Sequence, residues 1–164
     1  MKKTVYKRRR EGKTDYKVRM GMLKGGTPRV VVRKSNKYIY VQYVESKEAK
    51  DKPIFGISSK RLIDEGWPKE ASGSLKSIPA AYLTGYLAGK KIIEKRKKEK
   101  VILDIGLSRN VKGSRVYAVL KGLVDAGVNI AYNEKVFPEE SRIEGKHMKI
   151  NIQEAIKKII SKIK

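Results

Sequence analysis

The chain's one histidine, His147, stands in a basic stretch with no second histidine and no cysteine to share a metal ion. Its surroundings read as surface, in solvent or beside phosphate, and not as a ligand set or a base with an orienting partner. The lack of cysteine excludes disulfides, thiolate zinc sites and thiol catalysis. Asp104 is the more pointed candidate, because it interrupts the apolar run VILDI at 101–105. A carboxylate on a strand is what a metal-dependent nuclease would use, but that chemistry needs several carboxylates converging on two ions about 4 Å apart. The helix and strand positions that would supply partners hold Gly, Ala, Lys or aliphatic residues. Asp125 falls near a helix end, and Asp64, Glu65 and Glu70 fall in a loop-rich region. The segment GYLAGKK at 85–91 has the look of a phosphate loop. Its glycines have the wrong spacing, however, and neither Ser nor Thr follows the lysine, so no nucleotide site is expected. No cofactor is called for.

The chemistry that remains is charge. Lys and Arg number 40 against 17 Asp and Glu, a formal +23, and such a surface attracts polyanions. The cations cluster. Lys7-Arg8-Arg9-Arg10, with Lys13, occupies an N-terminal arm, residues 1–13, that has almost no apolar content. Such an arm is either a solubilising or localising tail or a segment that orders on an anionic surface. Arg33, Lys34 and Lys37 crowd the tip of a hairpin, and Arg109, Lys112 and Arg115 lie in and beside a later loop. The run 95–100, KRKKEK, is either solvated or in contact with RNA. No apolar run approaches the roughly 20 residues of a membrane span, and the basic N-terminus lacks the apolar stretch of a secretory signal. A soluble intracellular protein without a membrane partner is expected.

The elements that must position these cations are legible in outline. Residues 29–34 and 38–44 are rich in Val, Ile and Tyr and flank the turn Ser35-Asn36-Lys37, which predicts a β-hairpin. Thr14 or Asp15 caps a short helix to about Lys24, with Tyr16, Met20 and Leu23 as a docking stripe and Gly25-Gly26 as its stop. Residues 45–52 read as a polar loop, 53–57 as a third strand and 59–63 as a helical turn capped by Ser59. Trp67 is expected as a core or lid residue, and 70–77 in a loop. The longest helix is expected over 78–98, with Pro79 in its first turn; Ala81, Gly85 and Gly89 form a smooth strip for close approach to a sheet. Strand 101–105, a helix capped by Ser114 and ended by Gly127, and a short strand at 128–131 predict a parallel unit, so the sheet should be mixed. Residues 133–149 read as irregular. Asn151 with Glu154 resembles a capping box for a final amphipathic helix carrying Ile152, Ile156, Ile159, Ile160 and Ile163. The expected organisation is an arm (1–13), a single α/β domain (14–150) and a C-terminal helix (151–164).

Several segments carry a resemblance over roughly residues 8–148. They are RRREGKTDY (8–16), LKGGTPRVVVRKSNKYIYVQ (23–42), GW (66–67), PAAYLTGYLAG (79–89), VILDIGL (101–107), GSRVYAVLKGLVDAG (113–127) and RIEGKHM (142–148). Together they resemble the archaeal and eukaryotic branch of the large-subunit ribosomal protein that binds 5S rRNA, universal family eighteen. The resemblance implies a three-layer α/β/α fold similar to the ribonuclease-H-like motif, without nuclease activity. It also implies a place in the cytoplasmic ribosome, with 5S rRNA, 23S rRNA and the other 5S-binding protein of the central protuberance as partners. Carried residue by residue, the implied RNA contacts are Lys7, Arg8, Arg9, Arg10, Lys13 and Tyr16 from the first motif. The hairpin motif contributes Arg33, Lys34, Ser35, Asn36, Lys37 and Tyr38, the last standing where many members carry His. The later loop contributes Arg109, Lys112, Ser114 and Arg115. Tyr38 or Tyr40 either stacks on an unpaired base or packs in the core.

Overall fold

A computed structural model describes residues 4–96 and 99–163. Strands β1 (Arg29–Lys34), β2 (Ile39–Lys47), β3 (Lys50–Ser58) and β4 (Ile102–Asp104) form one sheet in the order β3-β2-β1-β4. β1 pairs antiparallel with β2 and parallel with β4, so the sheet is mixed as expected. The alternation of side chains then decides the two faces. Val30, Val32, Ile39, Val41, Tyr43 and Ile57 point into the core. Arg29, Val31, Arg33, Tyr40, Gln42 and Asp104 share the other face by register.

The core face is covered by α3 (Ile78–Lys95), which packs along α4 (Arg115–Asp125). Ser77 caps α3 by accepting from the Ala80 N–H at 3.4 Å. The expected end at Lys98 lies outside the described residues; within them the helix closes at Lys95. The small-residue strip meets a helix and not the sheet. A Cβ on Gly85 would land on the Val119 carbonyl, and one on Gly122 of α4 would land on the Tyr82 carbonyl. Two glycines facing each other across the contact let the backbones almost touch, a role no side chain could fill.

Several local expectations are corrected. Residues 45–52 are no loop: β2 runs on to Lys47, and a tight turn at Glu48 and Ala49, both at positive φ (52° and 61°), leads into β3. Neither residue type advertises that backbone, which explains why the hairpin is silent in the sequence. Ser58, not Ser59, caps the 3₁₀ turn Ser59–Ile63; Ser59 is buried and accepts from the Ile39 N–H at 3.1 Å. Residues Lys69–Ser74 form a further 3₁₀ turn, and Glu134–Val136 and α5 (Glu140–Ile143) order part of the supposedly irregular 133–149. The strand at 128–131 shrinks to one parallel bridge, Val101 to Ile130. Trp67 is buried, as expected, and donates to the Ala71 carbonyl at 3.0 Å.

α2 (Tyr16–Lys24) begins at the Asp15 cap, whose carboxylate accepts from the Lys17 and Val18 N–H groups. It does not dock by the proposed stripe. No α2 residue is buried and Met20 is 56% exposed. Polar contacts hold it instead, as described below. The basic arm, from its first described residues, includes a four-residue helical turn, α1 (Lys7–Arg10), where no element was expected. α6 (Gln153–Ile163) presents Ile156 and Ile159 to the core shared with α3, and Ile152 just before it is fully buried. Asn151 accepts from the Gln153 N–H at 3.2 Å, a two-residue turn in place of the expected capping-box bond to Glu154.

Candidate nucleic-acid interface

Two charged residues sit where strands should be apolar. Arg29 is 2% exposed and Asp104 is 5% exposed. A buried charge is tolerated only when paired and hydrogen-bonded, so each must explain the other. Arg29 Nη1 donates to Asp104 Oδ2 at 3.2 Å, and Arg29 Nη2 donates to Asp51 Oδ1 at 2.6 Å and Ser46 Oγ at 2.9 Å. At the two ends, Arg19 Nη2 pairs with Asp51 Oδ2 at 2.8 Å and Arg33 Nη2 with Asp104 Oδ1 at 3.0 Å. The result is one alternating chain, Arg19–Asp51–Arg29–Asp104–Arg33, lying across the second face of the sheet. It ties α2 to β3, β1 and β4. Burial alone would push the Asp51 carboxyl up. The hydrogen bonds from Ser46 and Arg19, with the charges of Arg29 and Arg19, outweigh it and hold the group below its ordinary value.

Asp104 does more than neutralise. Its Oδ1 also accepts from the Gly106 N–H at 2.8 Å, and its backbone carbonyl accepts from Arg33 Nη1 at 2.9 Å. Gly106 sits at φ +58°, and a Cβ there would come within 2.8 Å of the Arg33 guanidinium carbon. One carboxylate therefore fixes both the end of β1 and the start of the 106–113 loop. The far side of that loop is held by Tyr117, whose hydroxyl donates to Asn110 Oδ1, and by the Gly113 N–H, which donates to the Val136 carbonyl at 2.9 Å.

Around this frame the predicted contact residues gather in part. A groove of about 600 Å³ opens between α1–α2 and the β1–β4 edge, with Arg8, Lys13, Arg19, Arg33, Lys34 and Arg109 on its walls and Asp104 in its floor. Lys34 also borders a second concavity, which includes Ser114 and Arg115. The three sequence-predicted segments thus form a connected band. Lys7, Arg9 and Arg10 lie outside both concavities on exposed α1, and Asn36, Lys37 and Lys112 are exposed beyond their rims. Among the described residues, Lys7, Arg9, Arg10, Lys34, Lys37, Arg109, Lys112 and Arg115 have no carboxylate partner.

Other candidates are already engaged. The Ser35 hydroxyl donates to the Tyr38 carbonyl at 3.0 Å and accepts from the Tyr38 N–H at 2.9 Å, closing the hairpin turn. Tyr38 is half-buried against the core, whereas Tyr40 is 41% exposed on the second face. Tyr16 packs against Tyr6 with centroids 5.0 Å apart and the rings tilted by 41°, and Arg8 donates from Nε to Thr14 Oγ1 at 3.0 Å; both contacts fasten the arm to the start of α2. Ser114 occupies the N-cap position of α4 but makes no capping hydrogen bond, contrary to expectation. Sequence reasoning passed over Arg29 altogether. The signal available was a lone Arg heading one strand and a lone Asp inside another, each a charge needing a partner.

No helix among the described residues is long and apolar enough to cross a membrane. The sequence matches the family of ribosomal large subunit proteins 60S L5 and 50S L18 over residues 2–101 and 94–133. Among curated relatives, the large ribosomal subunit protein uL18 of Korarchaeum cryptofilum is 47% identical over 89% of this chain and 72% of its own length. The proteins of the same name from Aeropyrum pernix (46% identical, 87% of this chain, 64% of that protein) and Methanothrix thermoacetophila (47%, 85% and 80%) are similar to the same degree. The chain belongs to the large-subunit ribosomal protein family of 60S L5 and 50S L18, a family of structural components and not of enzymes.

Proposed function

We propose that this chain binds 5S rRNA and helps attach it to 23S rRNA in the central protuberance of the large subunit, beside the other 5S-binding protein. Membership of the ribosomal family supports the ribosomal part of this reading. One observation carries the RNA part: the band of unpartnered cations that runs from α1, past the hairpin tip, to the 106–113 loop and Arg115. In this reading residues 1–13 act as an arm, residues 14–150 as the RNA-binding domain, and 151–164 as a helix docked on it. The sheet between α3–α4 on one side and α2 on the other is then the three-layer arrangement of the ribonuclease-H-like motif.

The mechanism is positioning without chemistry. Arg binds phosphate oxygens through a planar fork and Lys as a point charge. Folded RNA is read through shape, 2′-hydroxyls and unstacked bases, and exposed Tyr40 is one ring open to stacking. If six to ten phosphates are neutralised, affinity falls on the order of 10³- to 10⁵-fold between 50 and 200 mM salt on the duplex-DNA scale. The test is competition binding of the purified protein between 5S rRNA and an unrelated duplex RNA of equal length. A clear preference for 5S rRNA is expected, and equal binding would reduce the protein to a generic RNA binder. Sustained cleavage of either RNA with Mg²⁺ or Mn²⁺ would revive the nuclease alternative.

A further inference from the structure

The motif RIEGKHM at 142–148 has no part in the reading so far, yet the fold carries it to the edge of the cation band. Ile143 is buried, and Gly145, at φ +79°, packs where a Cβ would strike Ile152. The Met148 N–H donates to the Gly145 carbonyl at 2.9 Å and the Lys146 N–H to the Ser141 carbonyl at 3.1 Å. Arg142 and His147 therefore project from an anchored turn. They line a concavity of about 420 Å³ together with Lys34 from the end of β1, Arg115 from α4, and Ser77 and Ser114.

Three features of this concavity point to one class of ligand. No carboxylate lines it, and Lys34, Arg115 and Arg142 make no ion pair among the described residues. Three exposed cations from three elements line one concavity with no carboxylate among them, an arrangement that an anion between them would favour. Second, two helices of 18 and 11 residues begin at its wall, α3 after Ser77 and α4 after Ser114, and helix N-termini favour anions. Third, the Ser114 Oγ is buried without a hydrogen-bond partner among the described residues, and it does not cap its own helix. A buried hydroxyl left unmatched is costly, and its residue forms part of the concavity wall.

We infer that this concavity is a phosphate site, with Lys34, Arg115, Arg142 and His147 as side-chain ligands and the Ser114 hydroxyl as a further donor. A tetrahedral oxyanion accepts from donors that arrive from several directions, as these do. The phosphate comes either from an RNA backbone, in which case the inference rests on the 5S rRNA reading above, or from free phosphate.

His147 supplies the test, because it is the chain's single histidine. Desolvation, and next the charge of Arg142, hold its imidazole below the ordinary value. The charged groups facing the concavity are Lys34, Arg115 and Arg142, all cationic. A bound phosphate adds the opposite charge, so the His147 pKa, followed by imidazole NMR, should rise by about one pH unit with inorganic phosphate. Chloride at matched ionic strength should move it far less, and Arg142→Gln or Arg115→Gln should abolish the difference. Equal responses to phosphate and chloride, or an undiminished response in both variants, would overturn the site. In a second arm, saturating 5S rRNA should slow modification of His147 by diethyl pyrocarbonate at least fivefold. A phosphate response without rRNA protection would assign the site to free phosphate and reject the RNA source. Failure of 5S rRNA to bind at all would refute the preceding reading and leave the phosphate arm standing.

Discussion

Asp104→Asn preserves the shape of the side chain and removes only its charge, so it isolates what that carboxylate does. The native group accepts from Arg29 at 3.2 Å, Arg33 at 3.0 Å and Gly106 at 2.8 Å. An amide can keep acceptors at its oxygen, but its nitrogen would turn an N–H toward one of the two guanidinium groups. Arg29 would then remain buried with Asp51 alone as counter-charge. Breaking a buried pair costs about 3–5 kcal/mol, and the surviving Asp51 contact argues for the lower end, about 3 kcal/mol. For a chain of 164 residues that corresponds to a Tm lower by roughly 6–12 °C. The RNA effect has the more instructive sign. Removing a negative charge beneath a groove that faces a polyanion should tighten binding if net charge alone mattered. If Asp104 instead holds Arg33 and the 106–113 loop in place, binding weakens. Scanning calorimetry and filter binding to 5S rRNA, the latter well below the variant's Tm, read both quantities. A Tm within 2 °C of the parent, about 0.5–1 kcal/mol, together with tighter binding would refute the positioning argument.

Three further outcomes follow from the same geometry. Gly85→Ala and Gly122→Ala each drive a methyl into a facing carbonyl, and urea unfolding should show a loss at or above the usual overpacking cost of about 1–3 kcal/mol; losses below 0.5 kcal/mol, about the level of a surface change, would mean the helices separate easily. Asp51 is held below its ordinary carboxylate value, so its support of α2 is complete above about pH 3.8 and is lost as the pH falls through the lower folded value. Hydrogen-exchange protection of α2 should drop in that acid window while α3 stays protected, and simultaneous loss in both helices would show that the tether is not local. Changing Arg8, Arg9 and Arg10 together to Ala should flatten the salt dependence of 5S rRNA binding by about two to three in slope on the duplex scale; an unchanged slope removes the arm from the interface.

The elements that declare themselves in the sequence are those whose periodicity and punctuation agree. β1 is found at its expected bounds, α4 ends where Gly127 turns at φ +97°, and the isoleucines of α6 face inward. What stayed hidden depended on partners distant in the chain. The glycine strip of α3 announces close approach, but only Gly122, 37 positions after Gly85, shows that the neighbour is a helix. The Glu48–Ala49 turn uses residues that rarely take positive φ, so its geometry is imposed by the flanking ladder and not by local preference. For the site, the cation clusters were legible as clusters, whereas their roles were not. Arg33 reads as one more basic residue at a hairpin tip. In the fold it is an anchored part of a five-residue charge chain whose other members lie at 19, 29, 51 and 104.

The most direct test is chemical footprinting of 5S rRNA with the parent protein, with the Arg8/Arg9/Arg10 variant and with an Arg109/Lys112/Arg115 variant, all to Ala. A cation band that grips one RNA predicts a continuous protected patch on 5S rRNA, from which each variant deletes a different portion. No protection by the parent protein, or the same pattern from all three, would contradict it.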